Sequence, residues 1–411
     1  MENISFIHCA DLHLDSPFVG LQYMPKEIFK RIQESTFLAF TKVVDAAISK
    51  KVDFIIISGD LYDGEDRSIK AQARLRKQME RLQSENIEVF IIHGNHDHLG
   101  GAWTTIEMPD NVHVFSSDVE VKHYITNKGV KVHLYGFSYP ERHVRDRKVG
   151  LYNKTPGADL HIGILHGHCE GGSTHHQPYA PFSIRDLLEK EMDYWALGHI
   201  HKQQILHQDP YIVYPGNIQG RNSKEQSVKG CFAVTLSKHE TTLEFIETSD
   251  IIWESITVSA KECSYFHELF LKCKEAMDNI RKLNQAILLC LEIVDTENLE
   301  INALEKITNG ELIESLQDGE EQEENFVWTY QVKQNSAEKD AIFLSEYQSF
   351  KNELDRALVV LDDNAVFEEA IGELYTHIRS SRYLDNFSAA EKTELLNEAG
   401  QMLSQLLSSK S

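Results

Sequence analysis

Apolar positions in the first hundred residues follow two periods in turn. Ile4 to Ala10 is a short apolar run of the kind that a buried strand makes. From about Pro25 to Lys50, the apolar positions Ile28, Ile32, Phe40, Val43, Val44, Ala47 and Ile48 fall at helical spacing, with the proline where a helix can start. A second apolar run, Asp53 to Ser58, a second helix over about Ser68 to Ser84 and a third run, Glu88 to His93, complete a βαβαβ alternation. That alternation predicts a mixed sheet with helices packed on its faces.

After Gly100 the pattern shortens. Val112–Phe115, Val119–Tyr124 and Val130–Tyr135 read as strands of a second sheet, and Cys231–Leu236, Thr242–Ile246 and Trp253–Val258 as strands that close the first domain. A helix over Ser264–Leu283 and strands at Ala286–Ile293 and Phe326–Val332 predict a small α+β module. Between those strands, residues 295–325 carry about a dozen carboxylates against Lys306 alone, the composition of a solvated face or mobile loop. Helical stripes follow: Val366, Ala370, Ile371, Leu374, Tyr375 and Ile378, and then, behind the capping box Ser388-Ala389-Ala390-Glu391, Leu395, Leu396, Ala399, Met402, Leu403, Leu406 and Leu407. The expected fold class is α/β, a two-sheet sandwich flanked by helices, divided as 1–258, 259–336 and 337–411.

Five short segments, each behind an apolar run, offer metal ligands: Asp11-Leu12-His13, Gly59-Asp60, Gly94-Asn95-His96-Asp97, His166-Gly167-His168 and Gly198-His199-Ile200-His201. In an open α/β sheet, loops at the carboxyl ends of the strands converge on one crevice, so residues nearly 200 apart can meet there. Asp oxygen, Asn amide oxygen and neutral imidazole suit a pair of divalent ions. Asp11, His13 and His201 are expected to hold one ion, Asn95, His166 and His199 the other, with Asp60 bridging. Residues i and i+2 of an extended strand end face the same way, which would aim Asp11 with His13 and His199 with His201. The glycines mark sharp turns that call for positive φ. Two dications about 3.5 to 4 Å apart polarise a phosphate ester and activate a bridging water. His96, its ring oriented by Asp97, is the candidate for protonating the leaving oxygen. His168, His175 and His176 lie in a Gly-rich stretch bordering the crevice and read as solvated histidines.

The ordered motifs resemble the calcineurin-like metallophosphoesterase superfamily. The opening His8-Cys9-Ala10-Asp11-Leu12-His13-Leu14-Asp15-Ser16-Pro17-Phe18 and the later Tyr214-Pro215-Gly216-Asn217-Ile218-Gln219-Gly220-Arg221 are similar to its DNA-repair exonuclease branch of SbcD and YhaO type. The resemblance covers about residues 1–235. It implies a metallophosphoesterase sandwich, the same ligand roles, His96 as the catalytic residue and manganese as the metal. It also implies that 259–336 is a substrate-selecting capping domain, that the terminal helices dock an SMC-like coiled-coil ATPase, and that the protein forms a homodimer through helices near the site. Some members carry a histidine three residues after the bridging aspartate, where this chain has Asp63.

Composition changes the picture at one point. The chain has 411 residues, 41% hydrophobic and 26% charged, an ordinary globular balance with no apolar run near the length of a membrane span. Ile4 to Ala10 leads straight into Asp11, which argues against an export signal, and six scattered cysteines suggest reduced thiols in a cytoplasm. The net charge of −23, however, opposes binding to DNA phosphates. Bound dications and the loop residues Arg142, Arg145, Arg147 and Lys148, with Arg221, are the candidates for DNA contact, whereas Arg67, Lys70, Arg74, Arg76 and Lys77 read as an exposed helix face. The expected function is a two-metal DNA exonuclease, 3′-to-5′ on duplex DNA with possible endonuclease action, working in repair with the ATPase. The alternatives are a phosphodiesterase or phosphatase for nucleotides or other small molecules, and a mainly scaffolding component of the ATPase complex.

Overall fold

The computed structural model describes residues 3–63, 67–100, 104–170, 179–334, 348–376, 392–393, 395–396 and 399–400. The chain forms two compact units, Met1–Gln334 and Asn335–Ser411. The first carries three sheets. Strands β1 (Ile4–Cys9), β2 (Phe54–Ser58), β3 (Glu88–Ile92) and β4 (Val112–Val114) run parallel in the first sheet, joined by helices α1 (Lys26–Lys50) and α2 (Ile69–Ser84). The second sheet is built on β5 (Glu120–Ile125), β6 (Lys131–Gly136), β7 (Leu160–His166), the short helix α3 (Ile184–Leu188), β8 (Tyr194–Gly198), β9 (Gln204–Gln208) and β10 (Tyr211–Tyr214). Its spatial order is β5-β6-β7-β8-β10-β9, with antiparallel strands at the two edges. The chain then returns to the first sheet, where β11 (Gly230–Leu236) pairs antiparallel with β1 and β12 (Thr241–Glu247) forms the edge.

Alternation along the central strands divides their side chains between two cores. Phe6, Phe54, Ile56, Phe90 and Ile92 meet Val132, Leu134, Ile162, Ile164 and Ala196 between the sheets. Ile7, Ile55, Ile57, Val89 and Ile91 face Phe40, Val43, Val44, Leu75 and Met79 of the covering helices. Burial on both faces is why these strands read as unbroken apolar runs.

Helix α1 is 25 residues long and spans about 37 Å at the usual rise. Its second half lies on the first sheet, while Ile28 and Ile32 reach beyond it to Ile251, Trp253, Leu288, Phe326 and Trp328 of a third sheet. That sheet consists of the parallel strands β13 (Ile251–Ser259), β14 (Ala286–Val294) and β15 (Val327–Gln334), covered by α4 (Phe266–Ile280), α5 (Ile301–Thr308) and α6 (Glu311–Gln317). Arg31 ties it to α1, pairing with both oxygens of Asp250 at 3.0 and 3.1 Å and donating to the Glu324 carbonyl at 2.7 Å.

Three expectations change. Val112–Val114 extends the first sheet beside β3 instead of joining the second. Trp253–Val258 does not close the sandwich: it lies in β13 and opens the third sheet, because the largely apolar β14 needs a covered neighbour on each side. Of the two readings of the acidic segment, the solvated face holds and the mobile loop does not. The segment contains α5 and α6, whose Ala303, Ile307, Leu312 and Leu316 enter the third core while the carboxylates keep mostly to the outer face. Glu320 is the exception, buried against Arg281 at 2.8 and 3.0 Å and accepting from the Val327 amide at 2.7 Å.

In the second unit, α7 (Gln348–Leu361) and α8 (Asn364–Thr376) are helical, and Lys392 donates to the Asn364 side chain at 2.9 Å. Ile378, the Ser388–Glu391 box and the stripe residues Met402, Leu403, Leu406 and Leu407 lie outside the described residues, as do His175 and His176.

Replacing Arg281 with Met takes away the hydrogen-bonded cation of the buried Glu320 carboxylate and leaves it only Lys274, 3.8 Å away. The expected loss is about 2 kcal/mol, reduced from the usual cost of a broken buried pair because the arginine is partly exposed. It is read from the midpoint of urea unfolding, and a double replacement Arg281→Met/Glu320→Leu is expected to recover most of it.

Candidate metal centre

All five motifs arrive at the carboxyl ends of parallel strands, β1, β2 and β3 of the first sheet and β7 and β8 of the second. The device that aims them differs from strand alternation. Asp11, His13, Asp60 and His199 have φ of 51°, 42°, 51° and 100°, so each ligand lies just past its strand in a left-handed conformation that costs a non-glycine residue free energy. Backbone bonds hold the turns: the Asp11 amide donates to the Gly59 carbonyl at 3.1 Å and the His13 amide to the Asp60 carbonyl at 3.0 Å.

The motif glycines are likewise explained mostly by space. Gly59 alone among the four has positive φ, 97°. A Cβ on Gly94 would sit 2.3 Å from Asp60 Oδ1 and 2.7 Å from His166 Nε2. One on Gly198 would sit 1.8 Å from the Ser58 carbonyl oxygen, and one on Gly167 2.6 Å from that of Ala180. The side chains of the centre occupy the volume that these residues leave empty.

The donors converge with their lone pairs facing inward. His166 Nδ1 donates to the Ser58 carbonyl at 2.9 Å, which turns Nε2 into the centre, 3.0 Å from Asn95 Oδ1 and 3.3 Å from Asp60 Oδ2. His201 Nδ1 meets a Glu225 carboxylate oxygen at 2.7 Å and His13 Nδ1 lies 3.3 Å from Asp63 Oδ1, and the two Nε2 atoms face each other at 3.1 Å. His199 Nδ1 is 3.3 Å from Asn95 Oδ1, and the His199 amide donates to both oxygens of Asp11 at 3.0 and 3.1 Å. Asp11 with His13 and His201, and Asp11 with Asp60 and His166, each bring their donor atoms close enough to surround one ion. Electron pairs that oppose one another in a buried site need a cation between them, and a borderline divalent ion fits this oxygen and nitrogen set.

In the metal-free chain the His166 imidazolium supplies the charge that offsets Asp60. Burial favours the neutral form of His166, but the Asp60 carboxylate outweighs it and raises the imidazole to about 9. Burial likewise opposes ionisation of Asp60, yet His166 and His96 hold it well below the usual carboxylate range. Burial lowers His13 to about 3 and also pushes His199 down, keeping both rings neutral and ready to ligate.

Two assignments made on sequence are corrected. Asp97 does not orient His96: its carboxylate takes His93 Nδ1 at 2.8 Å and the amides of Leu61 and Gly94 at 2.9 and 2.7 Å, bracing the turn. The carboxylate paired with the His96 ring is Asp63, 3.5 Å from Nδ1, and Asp63 also accepts from Ser16 at 2.8 Å and pairs with Arg221 at 2.9 Å. Arg221 therefore belongs to the centre. Asp63 and Glu225 were missed as partners of His96 and His201; the Asp60-x-x-Asp63 spacing was visible, whereas Glu225 lies in a polar stretch without any local signal.

The loop with Arg142, Arg145, Arg147 and Lys148 borders the centre through a stack: His143 lies on Tyr179 at 5.6 Å, and Tyr179 packs against His199 at 5.1 Å. Arg147 itself is paired with both Glu170 and Asp186, and Lys148 is 4.0 Å from Asp146. Of the cluster expected on an exposed helix face, Lys70 and Arg74 pair with Glu34 of α1 and Arg76 with Glu80, whereas Arg67 turns inward and donates to the Asp97 and His98 carbonyls.

Comparison with known proteins decides the family. Residues 4–203 match the family model of the calcineurin-like phosphoesterases. The chain is 39% identical to an uncharacterized metallophosphoesterase, YhaO, of Bacillus subtilis, over 99% of its own length and 98% of the relative's. This chain is a calcineurin-like metallophosphoesterase. More distant relatives of this phosphoesterase are the DNA double-strand break repair protein Mre11 of Thermoplasma acidophilum, 26% identical over 67% of this chain and 74% of that one, and an SbcCD nuclease component of Staphylococcus epidermidis, 25% identical over 69% and 83%.

Two outcomes test the centre. Because the His166 proton must leave before a metal can bind, Mn²⁺ added to the phosphoesterase at pH 7 is expected to release about one proton, measured in weak buffer. Affinity should then rise with pH towards about 9, the value at which the metal-free ring loses its proton unaided. Gly94→Ala is expected to leave the circular dichroism spectrum unchanged while lowering metal affinity at least tenfold, since its methyl group would displace Asp60 or His166.

Proposed function

We propose that this phosphoesterase is a two-metal DNA phosphodiesterase, a 3′-to-5′ exonuclease on duplex DNA with endonuclease action on single strands. The native ions are Mn²⁺, held as Asp11, His13 and His201 for one and Asn95, His166 and His199 for the other, with Asp60 between them. The protein works as a homodimer in cytoplasmic DNA repair beside an SMC-like coiled-coil ATPase, residues 259–336 select the substrate, and the helices of 337–411 dock the partner. The observation that carries the reading is the convergence of these donors around Asp60, in a chain whose relatives are named as a nuclease component and a break-repair protein.

When bound, the ions polarise the phosphate ester and lower the pKa of water between them. The chain's own residues do the rest. His96 has a side chain 31% exposed, unlike the wholly buried His13 and His166, so a substrate can reach its imidazole. With Nδ1 towards Asp63, its Nε2 is left to donate a proton to the departing 3′ oxygen. The His96 amide donates to Asp60 Oδ1 at 3.0 Å, which fixes the ring's position relative to the bridging carboxylate. The Asp63–Arg221 pair holds both the proton donor and His13 in place.

A small-molecule phosphodiesterase is the competing reading, favoured by the net charge of −23 and by the neutralised Arg147. End-labelled duplex DNA and bis-p-nitrophenyl phosphate, each incubated with Mn²⁺ and the protein, separate the two. Shortening of the DNA that Asp60→Ala abolishes and His96→Ala slows at least about a hundredfold is expected for the nuclease. Ester hydrolysis without DNA cleavage, even with the ATPase added, would transfer the assignment to small substrates.

A further inference from the structure

The two halves of the centre are held by different parts of the fold. His166 and Asn95 belong to the core of the sandwich: His166 donates to the Ser58 carbonyl, its own carbonyl accepts from the Tyr139 hydroxyl at 2.8 Å, and Gly94 and Gly198 leave it no other space. The His13–His201 half depends on one loop, residues 217–225, between the second and first sheets. Glu225 meets His201 through one oxygen, and the other accepts from the Asn217 side chain at 2.8 Å and the Arg221 amide at 2.7 Å. Arg221 then reaches Asp63, the carboxylate beside His13. Both histidines of this half thus receive their outer partner from the loop, one directly and one through Asp63.

The loop is gripped by the third sheet. Gln219 is buried and its side-chain amide donates to the Ile251 carbonyl at 2.6 Å, while its side-chain oxygen accepts from the Asp250 amide at 2.8 Å. Trp253 Nε1 donates to the Gly220 carbonyl at 3.3 Å, and the Ser227 amide donates to the Trp253 carbonyl at 2.9 Å. A Cβ on Gly220 would lie 3.1 Å from the Trp253 ring, so the contact is close as well as hydrogen-bonded.

We propose that the third sheet, acting through Gln219 and the loop 217–225, sets the metal affinity of the His13–His201 half without altering the His166–Asn95 half. The proposal rests on the two-ion reading above and adds a regulator to it. Outer partners of metal-bound histidines orient the ring and fix its tautomer, and their loss typically costs about ten- to a hundredfold in affinity. Anything that displaces β13, such as a ligand or partner on the third sheet, then changes metal occupancy without touching a ligand residue. Gln219, Glu225 and Arg221 are positioning residues in this scheme.

Calorimetric titration of the full chain with MnCl₂ separates failure of the two-ion reading from failure of this one. A wild-type chain that binds fewer than two ions overturns both. Given two ions in the wild type, Gln219→Ala and Glu225→Gln are each expected to weaken one and the same site about tenfold and leave the other unchanged. Trp253→Phe keeps an aromatic ring in the third core but loses the bond to Gly220 and some of the indole's packing, so at least about a threefold loss at that site is expected, and it carries the test if Gln219→Ala does not fold. Both sites weakened equally, or neither affected, in a variant with a native circular dichroism spectrum overturns the proposal.

Discussion

A buried carboxylate that is surrounded by imidazoles governs this molecule. Asp60 sits with His166 and His13 around it and the His96 amide bonded to it, deep enough that its charge has to be matched within the protein. Desolvation penalises every one of these groups, and only mutual attraction, or a cation, offsets that cost. The left-handed turns at Asp11, His13, Asp60 and His199 are the local strain that the arrangement requires, and two packed sheets with cores on both faces are rigid enough to maintain it.

The same constraint explains why the centre has an outer layer of carboxylates. An imidazole that presents one nitrogen to a metal must anchor the other, and here the anchors are unlike: a backbone carbonyl for His166, Glu225 for His201 and Asp63 for His13. A carbonyl on the last residue of a core strand moves only with that strand. A carboxylate on a loop can. The asymmetry between the two halves follows from which element supplies the second hydrogen bond, and it connects the centre to a third sheet that contributes no ligand.

Charge is distributed in keeping with this. Part of the negative excess of the chain lies along residues 295–325, where Lys306 is the one basic residue, while several surface arginines are already paired with carboxylates. A phosphate substrate therefore meets attraction chiefly at the centre, where divalent ions dominate the local potential and Arg221 lies close by.

The segments that converge on the centre, the order of the first three strands and the helices between them were legible in the sequence, because potential donors are written in residue types and a strand buried on both faces must be apolar throughout. What the sequence left open was pairing between distant segments. Alternation in Trp253–Val258 reveals a strand but not which sheet takes it, and a dense run of glutamates hides the apolar stripes Leu312–Leu316 and Ala303–Ile307 that make it helical. Asp97 follows His96 directly and so reads as its partner, but adjacent residues point apart, and folding gave the role to Asp63, more than thirty residues away along the chain. Residue chemistry by itself determined which atoms could bind metal. Only the tertiary structure decided which neighbours orient them, since a hydrogen bond between remote segments depends on distances that no local pattern encodes.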